Sequence, residues 1–174
     1  MALSSQGALG FPAPGKTFPN ARVSASVQGD IAEFPNMAST DTTNPADGRK
    51  TICRLVQNNS GGALNAGVRC VVAANGYQVS GAAGADVRFD GAVDPQVPSA
   101  GVADQEWFLL VVSGPTKLLS SEAIAAGADL GGAASGKTEV LDADVAGLTG
   151  KAGKAEAAAA GADALFAASV SGVS

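Results

Sequence analysis

Between residues 51 and 115 the apolar side chains come in short runs separated by turn residues. Residues 51–56 are β-branched and apolar, and Asn58-Asn59-Ser60-Gly61-Gly62 follows as a turn, because Asn and Gly tolerate the positive φ that tight turns need. Residues 68–73 predict a second strand, Asn75-Gly76 a second turn, and residues 77–79 a return strand. Residues 107–112 (WFLLVV) form the most apolar run, long enough for a strand and too short for a helix. Ser113-Gly114-Pro115 is expected to stop it, with residues 116–119 resuming as its hairpin partner. Further on, residues 87–90 predict a short strand, 94–98 a loop, 131–136 a flexible turn, 137–141 a strand and 145–149 another. Residues 152–160 (AGKAEAAAA) have high helix propensity between two glycines. A loop or helical turn is expected near 154–160, followed by a strand over 164–170.

The first fifty residues are patterned differently. Three of the six phenylalanines stand directly before proline: Phe11-Pro12, Phe18-Pro19 and Phe34-Pro35. A residue before proline is pushed to extended conformations, so each pair presents an apolar ring on a stiff backbone. Between them, residues 21–28 alternate apolar and polar as a strand with one wet face, and residues 37–50 are polar and turn-rich. This divides the chain into an extended N-terminal arm and linker, 1–50, and a β-rich domain, 51–174. The fold class expected is mainly β, a small antiparallel barrel or sandwich carrying the arm. The six Phe-Pro residues are the candidate contacts with a second subunit or a partner, although packing on the parent domain is the competing outcome.

Composition narrows the chemistry. With 46% hydrophobic residues the chain can bury a core, but aromatics are only 5% and much of the rest is Ala. Such a core buries little area per residue, so self-association would add useful burial. The net charge of −5, without a basic cluster, argues against a nucleic-acid partner. No apolar stretch is long enough to cross a bilayer, and no membrane partner is expected. Residues 1–5 lack a basic leader segment, so synthesis in a host cytoplasm is expected. There are no histidines, which removes the commonest general base and a frequent metal ligand. Cys53 and Cys70, on strands expected to be adjacent, suit either a cross-strand disulfide or two buried thiols, and the second is preferred. No metal or cofactor is expected.

Two motifs deserve weighing against chance. Residues 131–138 (GGAASGKT) match the phosphate-loop pattern G-x-x-x-x-G-K-[ST]. That loop works between a strand and a helix N-terminus, whereas here a poor strand precedes it and a strand-like run follows. The nucleotide reading is therefore set aside. Asp86, Asp90, Asp94, Asp104 and Glu106 are scattered carboxylates. Asp104 and Glu106 share strand parity and would suit acid–base work, but charges flanking an apolar strand also keep it soluble. No catalytic residue is assigned.

From residue 55 onward the order of segments resembles the small capsid decoration, or cement, proteins of tailed bacteriophages. The resemblance lies in "LVQNNSGGALNAGVRCVVAANGYQV" as an opening hairpin and "GVADQEWFLLVVSGPTKLL" as a central strand. "AAGADL" with "GKTEVL" then resembles the next hairpin, and "GADALFAASV" the last strand. It implies a homotrimer bound to the outer surface of an icosahedral head, cementing neighbouring major capsid protein subunits without catalysis or cofactor. The alternative function is a β-rich virion surface module for host glycans, with Trp107 and Tyr77 the only Trp and Tyr to serve as platforms.

Overall fold

The computed structural model describes residues 13–19, 28–35, 49–82, 88–141 and 151–171. Ten strands form one connected sheet: β1 (Ile31–Pro35), β2 (Lys50–Asn58), β3 (Arg69–Val72), β4 (Gln78–Gly81), β5 (Gly91–Val93), β6 (Trp107–Leu119), β7 (Asp129–Gly132), β8 (Thr138–Val140), β9 (Gly153–Ala155) and β10 (Leu165–Ser171). The mainly β fold of barrel type is as the sequence predicts. Pairings are antiparallel except β2 with β4 and an isolated Ser120–Thr138 bridge.

The strands make two rings that share β6. In the first, β2, β4, β3, β5 and the N-terminal half of β6 close on themselves, because β2 pairs with both β4 and β6. In the second, the C-terminal half of β6 continues through β10, β9, β7 and β8, and Ser120–Thr138 joins β8 back to the end of β6. The rings are structural repeats. Leu64 and Val102 exchange two backbone hydrogen bonds in the first, as Ile124 and Ala159 do in the second. Asn58 accepts from Gln105 and donates to Glu106; Ser120 accepts from Asp163 and donates to Ala164. Gln105 and Asp163 both have positive φ, 64° and 60°. The repeat leaves a trace in the sequence: residues 64–76 (LNAGVRCVVAANG) and 124–136 (IAAGADLGGAASG) lie 60 positions apart (124 − 64) and agree at the Ala-Gly step, the Ala-Ala pair and the final Gly.

β6 does not stop at Ser113-Gly114-Pro115 as expected, so residues 116–119 are its continuation rather than its hairpin partner. A bulge explains this. Ile52 pairs with Ser113 but Cys53 with Val111, leaving Val112 as the extra residue. One extra residue exchanges the two faces of a strand. Phe108 and Leu110 therefore fill the first ring, while Leu109, Val111 and, past the bulge, Leu118 share the other cluster. Burial on both faces is what makes this run continuously apolar. Gly114 has φ 96° and its backbone passes against the carbonyl of Lys50, where no side chain fits. Pro115 sits at the same irregularity, and its carbonyl accepts from the Thr51 hydroxyl at 2.7 Å.

Three other expectations change. In place of the strand expected at 87–90, β5 begins at Gly91, which lets it approach β6, since a Cβ there would lie 2.6 Å from Leu110. Residues 131 and 132 belong to β7, and only 134–136 form a 3₁₀ turn. Residues 153–155 are a strand, so the expected loop begins at 156 and contains no helical turn: Gly153, φ 146°, packs on the Ser169 carbonyl. Ala152, Ala155, Ala159 and Ala168 then fill the narrow second ring around Leu130 and Phe166, so tertiary packing overrides helix propensity. The strands expected at 21–28 and 145–149 fall wholly or almost wholly outside the described residues.

Candidate docking surface of the N-terminal segment

Residues 13–19 run from the loop after β5 to the start of β6. A turn, closed by Lys16 N–H donating to Ala13, brings Gly15 over the loop after β5. Gly15 has φ 77°, and a Cβ would stand 2.7 Å from the Gln96 carbonyl, so the approach requires glycine. Its N–H donates to Asp94 Oδ2 at 2.6 Å, while Gln96 N–H donates to Oδ1 at 2.8 Å. Asp94 is fully buried. Burial pushes its carboxyl above the usual value, and the two backbone hydrogen bonds oppose that shift without cancelling it.

Three residues later the segment joins the sheet. Phe18 and Trp107 exchange backbone hydrogen bonds of 3.0 and 2.8 Å, adding one rung beside the start of β6. The Phe18 ring, like that of Tyr77, packs against the cluster of Leu55 and Trp107. Tyr77 stacks on Trp107 with centroids 5.7 Å apart and planes at 17°. Pro19, exposed, has no N–H to continue the pairing. The only tryptophan is thus covered rather than displayed as a platform.

Phe34 is placed elsewhere. It pairs with Thr51 in the β1–β2 ladder and packs, half-buried, against the cluster containing Cys53 and Leu109; Pro35 pairs with Lys50. The structure therefore seats Phe18 and Phe34 on separate parts of their own chain and does not bring them together. Phe11 and Pro12 lie outside the described residues. On the outer face of the same ladder, Ile31 and Ile52 remain exposed.

The carboxylates do not converge. Asp90 accepts from Val72 N–H and pairs with Arg88; Asp104 accepts from Gly61 N–H; Glu106 accepts from Ala103 N–H. Asp86 lies outside the described residues. The sequence match to a phosphate loop is a hairpin turn here, followed by β8 and not by a helix. The Lys137 ammonium pairs with Asp163 at 2.7 Å, and the Arg69 guanidinium lies against Gly132. Cys53 and Cys70 are not cross-strand neighbours, because β4 separates β2 from β3; each is buried in a different cluster.

Sequence reasoning missed Asp94 and Gly15 as an anchor. The available signal was small: an Asp-Pro turn and a Pro-Gly turn, with nothing linking positions 79 residues apart.

The fold resembles a phage head fiber base. The similarity is to the crystal structure of the head fiber gp8.5 N base in bacteriophage phi29, with a TM-score of 0.50 and 14% identity, covering 70% of this chain and 94% of that chain. No protein-family model and no curated protein matches the sequence. At this identity the shared property is the fold.

Proposed function

We propose that the protein is a structural component of a phage virion that binds the outside of the head as a homotrimer and cements neighbouring major capsid protein subunits. The observation that carries this reading is the fold likeness to a head fiber base, which spans nearly the whole of that chain. Two features support it. The N-terminal segment uses an extended Phe-Pro unit to add a rung to a sheet, which is a mode suited to linking neighbours. The Ala-filled second ring has a small apolar core, so burial between copies would add stability. Many such weak contacts on one shell hold through avidity. In this reading the protein performs no catalysis and takes no cofactor. The glycan reading loses Trp107 as a platform, because that side chain is buried.

The test is co-sedimentation of the purified full chain with empty expanded heads. Binding that saturates at a fixed ratio to capsid subunits, and that falls when residues 1–36 are removed, supports the reading. Failure of the full chain to sediment with heads rejects it.

A further inference from the structure

The strand order of the sheet begins with β1 and ends with β8. The outward backbone groups of β8 are met: Thr138 C=O accepts from Ser121 N–H at 2.8 Å, and Val140 N–H donates to Glu122 Oε1 at 3.0 Å. Those of β1 are not. Leu55 turns its N–H and C=O toward the β1 side, to Asp30 and Gly29. The ladder alternates from there. Cys53 with Ala32 and Thr51 with Phe34 are hydrogen-bonded pairs, whereas Arg54 with Ile31 and Ile52 with Glu33 are not. The N–H and C=O of Ile31 and Glu33 therefore point away from β2, and none of the described residues meets them. On the same face of this ladder Ile31 is 50% and Ile52 36% exposed. Arg54, across from Ile31, has a buried Nε without a hydrogen-bond partner among the described residues. An open edge beside apolar side chains is a template for a further strand.

We propose that this edge pairs with β1 of a second copy of the chain, antiparallel about a two-fold axis at Ala32. The sequence of the strand selects both occupant and register. With Ala32 opposite the copy's Ala32, Ile31 faces the copy's Glu33 on each side of the axis. Both pairs are of the hydrogen-bonded kind, so every outward N–H and C=O of Ile31 and Glu33 is used. Sliding the copy one way sets Glu33 against Glu33 and Ile31 against Pro35, which has no N–H. Sliding it the other way sets Glu33 against Gly29, whose N–H is already held by Leu55. Charge agrees with the Ala32 register. The copy's Glu33 then lies two strands from Arg54, about 10 Å between backbones and within the joint reach of the two side chains. Glu33 holds Lys50 of its own chain, and the pairing brings a carboxylate to Arg54 as well. The two Ile31 side chains become diagonal neighbours across the axis. Such an isologous contact joins two copies and stops, so on a shell it links one trimer to the next. This inference rests on the proposed function only in that copies meet.

The experiment is sedimentation equilibrium of the full chain, its Ile31→Glu and Glu33→Lys variants, and their equimolar mixture. Both positions are exposed, so the fold should persist, which circular dichroism checks. The wild type is expected to show a species that doubles in mass as concentration rises. Ile31→Glu sets a carboxylate against Glu33 twice in each pair, and doubling should weaken about tenfold or more. Glu33→Lys sets an ammonium toward Arg54 and should weaken it similarly. The mixture should recover doubling, since the new carboxylate of one variant faces the new ammonium of the other. Doubling unchanged in Ile31→Glu, or a mixture that does not recover, overturns the inference. So does a wild type whose mass never doubles: if it is a trimer the proposed function stands, and if it is a monomer both fall. Doubling in a chain that fails to sediment with heads leaves the inference standing and rejects the proposed function.

Discussion

Arg69 of the first ring lies against Gly132 of the second, and its Nη1 donates to the Lys137 carbonyl at 3.3 Å. Arg69 is fully buried, and burial lowers the pKa of its guanidinium while the Glu139 carboxylate opposes that shift. A methyl group at 132 would overlap the guanidinium. Gly132→Ala is therefore expected to lower stability by about 1–3 kcal/mol, as overpacking of a close-packed interior does. Urea unfolding monitored by circular dichroism measures it, and an unchanged midpoint would mean the rings are not held together here.

Phe18 packs against the cluster that holds the only tryptophan and exchanges backbone hydrogen bonds with it. In Phe18→Ala the ring is lost from that cluster. Trp107 emission should move to longer wavelength, and residues 13–19 should become sensitive to protease. Global unfolding should change by no more than about 1–3 kcal/mol, the value of one apolar side chain. An unshifted emission maximum would show that Phe18 does not shield the indole.

Asp94 gives a pH signature. Its carboxyl titrates above the ordinary 3.8 in the folded chain. Between those two values the folded chain holds a proton that the unfolded chain has released. The stabilisation is thus full below the ordinary carboxylate range and is lost as pH rises through the folded value. Asp94→Asn keeps one acceptor oxygen and cannot titrate. Subtracting its unfolding midpoints from those of the wild type across the acidic range should leave a difference that falls as pH rises. The subtraction cancels carboxylates whose ion pairs slope the opposite way.

Both thiols should be inert in the native protein. Burial pushes Cys70 up to about 12 and Cys53 well above its usual value, with Asp94 adding to the latter. Only the thiolate attacks, and at pH 8 a thiol titrating near 12 is ionised to about one part in ten thousand. An aromatic disulfide reagent should find no reactive thiol in native protein and two in urea. Rapid labelling of the native chain would contradict the burial of these residues.

The apolar runs made most strands legible. Residues 51–56, 68–73 and 164–170 fall on β2, β3 and β10 because short β-branched or apolar stretches between turn residues have few other ways to be buried. The Phe-Pro pairs singled out the segment that carries Phe18. Illegible were the unbroken β6 and the short strand β9 just before the alanine run. Both depend on what lies opposite: Lys50 against Gly114, Ser169 against Gly153.

By itself the sequence determined the class of the fold and the extended backbone at Phe18 and Phe34, each standing before a proline. Hydrophobic spacing and proline sterics are local properties of the chain, and they act before any long-range contact forms. Only the tertiary structure decided that one strand serves two rings, that the rings repeat each other, and that Asp94 anchors Gly15. These depend on register and on close approach between residues far apart in sequence, and a one-residue bulge at Val112 is enough to reassign every side chain that follows it.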